Sequence, residues 1–408
     1  TAPPMAPARR TRLPDRVWAP ALVAGALAVA FAAALLVRAG GDASLLVHAA
    51  PPWSSEADAR GSLTVQPDVE DGFDGQFFYR LGVAPWSTED EVGGVTFDLP
   101  SLRNARWGYG ALAFAASGGD PDLVPWALLG LNVATATAIG AVGGALARTS
   151  GRHAAWGLLF ALWPGFAYSL SLDTSELVAS VFVLGGLLAL RRGRWPIAAA
   201  LLTAAVLTRD TTAVVPVGVA AAGALAWWSA RRRDEAPATS AAAGSVGQLL
   251  AGVVPLVAFV GWQLLQRERF GSLPVTSSGD NNLSAPFAGL VDQLGELLPP
   301  SGGEDAFRLL SIAGLVALLA GAAWCWRTTG APWAERLAWL PAVAVVVVLN
   351  AYLWSGATAF MRAGTEAGLL STALVLADTR HRRLLPLVGL GLAGLWLLTA
   401  VAQLTKLG

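Results

Sequence analysis

Residues 18–37 read WAPALVAGALAVAFAAALLV, twenty positions without a charged side chain. The hydrocarbon core of a bilayer takes about 20 apolar residues of helix to cross, so this stretch reads as a transmembrane helix. Arg9, Arg10, Arg12 and Arg16 precede it. No convincing small-residue cleavage site follows it and many further apolar runs do, which favours a retained helix over a signal peptide. Composition agrees: 54% of residues are hydrophobic, only 14% are charged, and mean hydropathy is +0.53, against about 25% charged in soluble domains. The 28 basic and 28 acidic residues cancel, so no global field points to nucleic acid as a partner. The fold class expected is an all-α polytopic membrane protein.

Ten more apolar runs follow, at 123–147, 154–170, 177–190, 196–207, 213–230, 246–265, 309–326, 337–354, 364–377 and 384–404. That makes about 11 transmembrane helices by length and apolarity. If they alternate, the arginine-rich segments at 148–152, 191–194, 231–233, 327–336 and 380–383 fall on one side with the N-terminal arm. Basic residues near span ends are held in the cytoplasm, so the N-terminus is expected there. The chain then divides into a cytoplasmic arm (1–17), a first helix (18–37), a long extracytoplasmic loop with surface helices (38–122), helices two to seven (123–265), a second outer loop (266–308) and helices eight to eleven (309–408). Residues 109–116 are apolar but too short to span, and suit a helix at the membrane surface. Arginine far outnumbers lysine, a bias of GC-rich bacterial genomes, so a bacterial inner membrane is the expected location.

The cytoplasmic loops carry simple positive charge, whereas the outer ones mix acids, aromatics and arginines. The first outer loop holds Asp71-Gly72-Phe73-Asp74-Gly75-Gln76-Phe77-Phe78-Tyr79-Arg80. Asp71 and Asp74 are three apart and would share one face of a short helix. An interfacial aromatic belt after an Asp-Gly turn would explain part of the pattern, but not the acid pair, the aromatics and the arginine together. A second cluster, Arg103-Asn104-Ala105-Arg106-Trp107-Gly108-Tyr109, sets two arginines against the positive-inside tendency and calls for an anionic partner. Phosphate suits them, because guanidinium offers forked donors of permanent charge; pairing with Asp98 or with lipid headgroups is the alternative. Asp173 and Glu176 lie in the turn before residue 177, where Asp173 or Thr174 can cap the next helix. An ionisable Glu176 at the start of an apolar span asks for a cavity or partner. Arg209-Asp210 can neutralise one another, and Arg362 and Glu366 pose the same choice. Cys325 is the only cysteine and lies in an apolar run, and His48, His153 and His381 are far apart in sequence. Neither a disulfide framework nor a cysteine- or histidine-based metal centre is expected.

Taken in order, Asp74-Gly75-Gln76-Phe77-Phe78-Tyr79-Arg80, Leu172-Asp173-Thr174-Ser175-Glu176-Leu177, Leu207-Thr208-Arg209-Asp210-Thr211 and Arg269-Phe270-Gly271-Ser272-Leu273-Pro274 resemble the motifs of GT-C integral-membrane glycosyltransferases. The resemblance is to small bacterial members and to GPI mannosyltransferases, and it runs over most of the chain. This sequence departs in lacking a proline in the helix after the first loop, and in having Asp210 where glutamate is frequent. The resemblance implies transfer of a sugar, mannose or arabinose, from a polyprenyl-phosphate donor to an envelope glycolipid or polysaccharide, with inversion. It implies Asp74 as the general base and Asp71 as runner-up or helper. Arg103, Arg106, Arg209 and Arg362 would hold the donor phosphate. Gln76, Tyr79, Arg80, Trp107, Tyr109, Asp173, Glu176 and Asp210 would line the substrates. No cofactor is required; a divalent cation between carboxylates and phosphate is compatible with hard oxygen ligands. The rival class is a transporter or flippase of a lipid-linked or anionic substrate, but no internal repeat is seen and the polar groups gather on one face.

Overall fold

The computed structural model describes residues 15–232, 240–277 and 282–406. Arg9, Arg10, Arg12 and Arg233, counted among the basic segments, lie outside the described residues. The first long helix is α1 (Trp18–Arg38), and the loop after it carries α2 (Gly75–Val83), a hairpin of β1 (Glu91–Val92) and β2 (Val95–Thr96), α3 (Pro100–Ala105) and α4 (Trp107–Ser117). Then come α5 (Val124–Thr149), α6 (Leu158–Ala161), α7 (Gly165–Ser171), α8 (Glu176–Arg191), α9 (Trp195–Thr208), α10 (Val214–Arg232) and α11 (Ser240–Phe270). The remainder is α12 (Ala288–Leu297), α13 (Gly303–Cys325), α14 (Trp333–Val347), α15 (Ala351–Trp354), α16 (Ala357–Ala363), α17 (Thr365–Ala377) and α18 (Leu384–Lys406).

Among the described residues, six helices are long and apolar enough to cross a membrane: α1, α5, α10 with the 3-10 turn before it, α11, α13 and α18. The chain is an all-α polytopic membrane protein. It differs from an even series of eleven spans at identifiable places. The run 154–170 is a 3-10 turn followed by α6 and α7, and Pro164 at the start of α7 has no N–H to continue a helix from α6. Helices α8, α9, α14 and α17 have 16, 14, 15 and 13 residues. At about 1.5 Å per residue they reach only about 20–24 Å, short of a hydrocarbon core of about 30 Å. Helices α8 and α17 are buried along most of their length, so protein rather than lipid surrounds them.

Small residues let the helices close on one another. A Cβ on Gly218 of α10 would lie 2.1 Å from the backbone nitrogen of Ala338 in α14; in lipid, where apolar tails compete equally for apolar faces, this kind of close contact holds helices together. The loop between α1 and α5 has a core of its own, in which Val47, Leu63, Phe77, Tyr79, Val95 and Tyr109 are buried together. Arg80 fastens that core: its guanidinium donates to the carbonyls of Glu89, Asp90 and Val95 and lies 3.9 Å from the centre of the Phe97 ring. The second loop docks on the first through Arg269, which donates to the Trp86 carbonyl at 2.8 Å, and through Ser101 and Ser272, whose hydroxyls are 2.8 Å apart.

The basic segments meet at one end of the bundle. Arg191 at the end of α8 donates to Ser150 just past α5 at 2.7 Å and to Glu335 in α14 at 2.5 Å. Arg152 donates to the carbonyls of Leu376 and Asp378 at the end of α17.

Candidate active site

At the other end, charged residues from six separate places in the chain converge. Asp74 stands just before α2; Asp98, Arg103 and Arg106 flank or belong to α3; Glu176 opens α8; Arg209 and Asp210 follow α9; Arg362 lies in α16; Glu366 lies in the first turn of α17. The approach is made possible by Gly75, where a Cβ would fall 2.6 Å from the carbonyl oxygen of Val47 and 2.7 Å from that of Leu172. The first turn of α2 is thereby pressed against the turn that carries Asp173 and Glu176. Asp74 has helical dihedrals and makes no side-chain cap to α2, which leaves its carboxylate to face the arginines.

Asp74 Oδ1 accepts from Arg103 at 2.6 Å and Oδ2 from Arg362 at 2.7 Å, with Arg106 3.9 Å away. Arg103 is also gripped by Asp98 through two hydrogen bonds of 2.7 and 2.6 Å, and lies over the Phe77 ring. Arg362 reaches on to Glu176 at 2.7 Å, and Arg209 donates to the same Glu176 oxygen and to the Arg362 carbonyl. The other Glu176 oxygen accepts from Ser169 and Thr174. Thr211 links Arg209 to Glu366. The nearest cation to Asp210 is Arg106, whose Nε is 3.3 Å away, with the charge of the adjacent Arg209 a smaller influence. That contact is poorly aligned, and both Arg106 Nε and Asp210 Oδ1 lack a hydrogen bond. Arg106 is thus the least committed of the four arginines, and with 22% of its side chain accessible it is also the most open.

Burial alone would raise the pKa of Asp74, yet the charges of Arg103, Arg362 and Arg106 hold its carboxyl well below the usual carboxylate range. Four guanidinium groups thus stand among the carboxyl groups of Asp74, Asp98, Glu176, Asp210 and Glu366. Each oxygen of Asp74 accepts a hydrogen bond from one arginine.

Other residues expected at the site lie elsewhere. Asp71 has φ 62° and α2 starts only at Gly75, so Asp71 and Asp74 do not share a helix face. Asp71 is exposed and makes none of these ion pairs among the described residues. Gln76 is wholly buried and braces the loop, accepting from Ser54 at 2.8 Å and donating to the Asp71 carbonyl at 2.9 Å. Tyr79 donates to the Arg60 carbonyl and Tyr109 to that of Leu128. With Arg80 they form the loop's framework rather than a lining, because α2 is enclosed on every side. Asp173 is fully buried at φ 44°, and burial pushes its carboxyl well above the usual range. Trp107 packs with Trp86 and Trp262, ring centres 4.6 and 5.8 Å away.

No family model matches the chain, and no curated protein does. Among solved structures it is similar to the oligosaccharyltransferase of Archaeoglobus fulgidus in its apo form. The likeness has a TM-score of 0.42 at 12% identity, and covers 92% of this chain and 56% of that one. The chain thus spans little more than half the length of that protein.

The network also includes residues that sequence does not single out. Ser169 and Thr211 are ordinary in turns, and only their contacts to Glu176 and Glu366 give them weight. Asp98 takes the pairing role that the sequence left open for Arg103.

Proposed function

We propose that the protein is an inverting membrane glycosyltransferase of the GT-C type. It moves a sugar, mannose or arabinose, from a polyprenyl-phosphate donor to a glycolipid or polysaccharide of the bacterial cell envelope, with its site on the extracytoplasmic face of the inner membrane. The observation that supports this reading is the Asp74 carboxylate among Arg103, Arg106 and Arg362 at one end of a bundle of apolar helices. A base and anion-binding cations stand together where a lipid headgroup is in reach.

The acceptor hydroxyl attacks the anomeric carbon as Asp74 takes its proton, and the bond from that carbon to the phosphate oxygen breaks. Polyprenyl phosphate leaves with its charge offset by guanidinium groups, an electrostatic contribution that is largest in a water-poor site. Arg106, the least committed and most open of the four arginines, is the leading phosphate arm, with Arg362 beside it on the same Asp74 oxygen. In the free site the arginines make Asp74 a weak base. A donor phosphate that draws Arg106 and Arg362 onto itself relieves that hold, and the proton affinity of Asp74 rises when it is needed. Trp86, Trp107 and Trp262 offer an aromatic wall for a sugar face or lipid. An apolar hollow of about 290 Å³ lined by Leu315, Leu319, Trp339, Val346 and Trp354 suits a polyprenyl chain. Trp354 packs at 5.0 Å on Phe360 of α16, the helix that carries Arg362. A divalent cation would have to compete with Arg103 and Arg362 for the Asp74 carboxylate.

The test is transfer of labelled sugar from polyprenyl-phosphate mannose or arabinose to an envelope glycolipid fraction by the purified protein in proteoliposomes. Formation of a glycosidic bond with inverted configuration is expected. Movement of the donor across the bilayer with no such bond would overturn the reading in favour of a transporter.

A further inference from the structure

A second chemical cluster lies at the end of the bundle away from Asp74, formed by Cys325 at the end of α13, Asp378 just past α17 and His381 before α18. One ligand atom from each lies within 4.8 Å of the others. Helix α17 has Glu366 of the arginine network in its first turn and Asp378 just beyond its last, about 18 Å away at 1.5 Å per residue. Cys325 and Asp378 are 0% and 2% exposed, and His381 is at the surface.

The three are held by their surroundings. The loop after α13 is locked to α17 by Thr329, whose hydroxyl donates to the Leu374 carbonyl at 2.7 Å, and by the Gly330 N–H on the Ala377 carbonyl at 3.0 Å. The backbone N–H of His381 donates to Asp378 Oδ2 at 2.6 Å, and its Nδ1 is 3.2 Å from the same oxygen. The remaining oxygen, Asp378 Oδ1, is buried and accepts no hydrogen bond. The nearby Thr328 hydroxyl donates to the Cys325 carbonyl at 3.3 Å and lies 3.5 Å from His381 Nδ1.

We propose that Cys325, Asp378 and His381 bind Zn²⁺ or an ion of the same class, with a fourth position open to water beside His381. Thiolate, imidazole and carboxylate together are a zinc set, whereas magnesium and calcium ask for oxygen alone. The 3.2 Å between Nδ1 and Oδ2 fits the edge of a tetrahedron with bonds of about 2.0 Å. A cation there would lie between the buried Cys325 thiol and the Asp378 carboxylate, whose ligand atoms are within reach of one another. Trp324 donates to His381 Nε2 at 3.0 Å; when Nδ1 takes the ion the ring proton passes to Nε2, and the exposed indole turns away. The ion ties the ends of α13, α17 and α18 together, a clip whose existence does not depend on the activity proposed above.

Cys325 is the only cysteine, so any cobalt–thiolate absorption must come from it. The full-length protein in detergent, stripped with a chelator, is titrated with Co²⁺ and then Zn²⁺. One equivalent of Co²⁺ is expected to give a thiolate charge-transfer band, which Zn²⁺ displaces. His381→Ala, a surface change that keeps the thiol, weakens the band by more than about tenfold, and zinc raises the melting temperature of the parent but not of this variant. Absence of the band, a band seen only at millimolar cobalt, or one unchanged in His381→Ala and Asp378→Asn overturns the proposal.

Discussion

Both ends of the bundle bury arginine against carboxylate, but they do it differently. Arg191 and Glu335 form a closed pair, two parallel hydrogen bonds of 2.5 and 2.6 Å, and the rest of the guanidinium is taken up by Leu146, Thr149 and Ser150. At the Asp74 end the partners are shared: one carboxylate serves three arginines, Glu176 serves two, and Arg106 and Asp210 face each other without a hydrogen bond. A closed pair has nothing to exchange and fixes helices. A shared, incompletely bonded network can trade a carboxylate for a phosphate with little rearrangement, which is what a site for an anionic donor needs.

The largest effects should separate the two ends by kind. Asp74→Asn should lower turnover in the proteoliposome assay by about 10²–10⁴-fold, the usual contribution of a general base, while the protein stays monodisperse. Arg191→Ala should instead leave Glu335 buried without a partner, at a cost of about 3–5 kcal/mol in stability. Thermal unfolding in detergent should shift down, with turnover per folded molecule retained. Lost turnover at unchanged melting temperature in Arg191→Ala would break the contrast.

Next come the arginines of the shared network. Hydrogen bonds to charged groups contribute about 1.5–3 kcal/mol, so Arg106→Ala should raise the donor KM about tenfold to a hundredfold and leave the acceptor KM nearly unchanged. Equal effects on both substrates would assign Arg106 to structure. Arg103→Ala tests the electrostatics. Asp74 has a carboxyl held below its ordinary value by cations, Arg103 foremost among them; removing that charge raises its pKa, so the ionised base is lost at a higher pH. The acid limb of kcat/KM should move upward, and a limb that stays in place would mean that Asp74 does not set it.

The sequence made the ends of this network legible and left its pairings hidden. A charged group beside an apolar run must find a partner or a cavity, and that rule alone marks Glu176, Arg209 and Arg362. It does not say which partner. Arg209 and Asp210 are adjacent, and residues one apart do not face each other in a helical turn; each instead meets charges 33 and 104 positions away, Glu176 and Arg106. Gln76, Tyr79 and Arg80 look like a lining because they follow the acidic motif, but α2 lies in a loop core and turns them into carbonyl anchors. The cluster of Cys325, Asp378 and His381 is hidden in the sequence because no residue type recurs at a metal-binding spacing, while the site draws on three segments and three ligand chemistries.

The smallest effect should come from Asp71, which lies three residues from the proposed base and shares its chemistry. It stands at φ 62°, exposed, at the turn where its N–H donates to the Pro51 carbonyl and its carbonyl accepts from Gln76. Its structural contribution is therefore made by the backbone. Asparagine tolerates the left-handed region as aspartate does, so Asp71→Asn removes the charge alone. Stability should change by no more than about 0.5 kcal/mol, and turnover should stay within about twofold, since no arginine of the network contacts this carboxylate. Should Asp71→Asn match Asp74→Asn in lost turnover, the loop must rearrange when substrate binds. The shared network around Asp74 would then be a resting arrangement, with the base supplied from its neighbour.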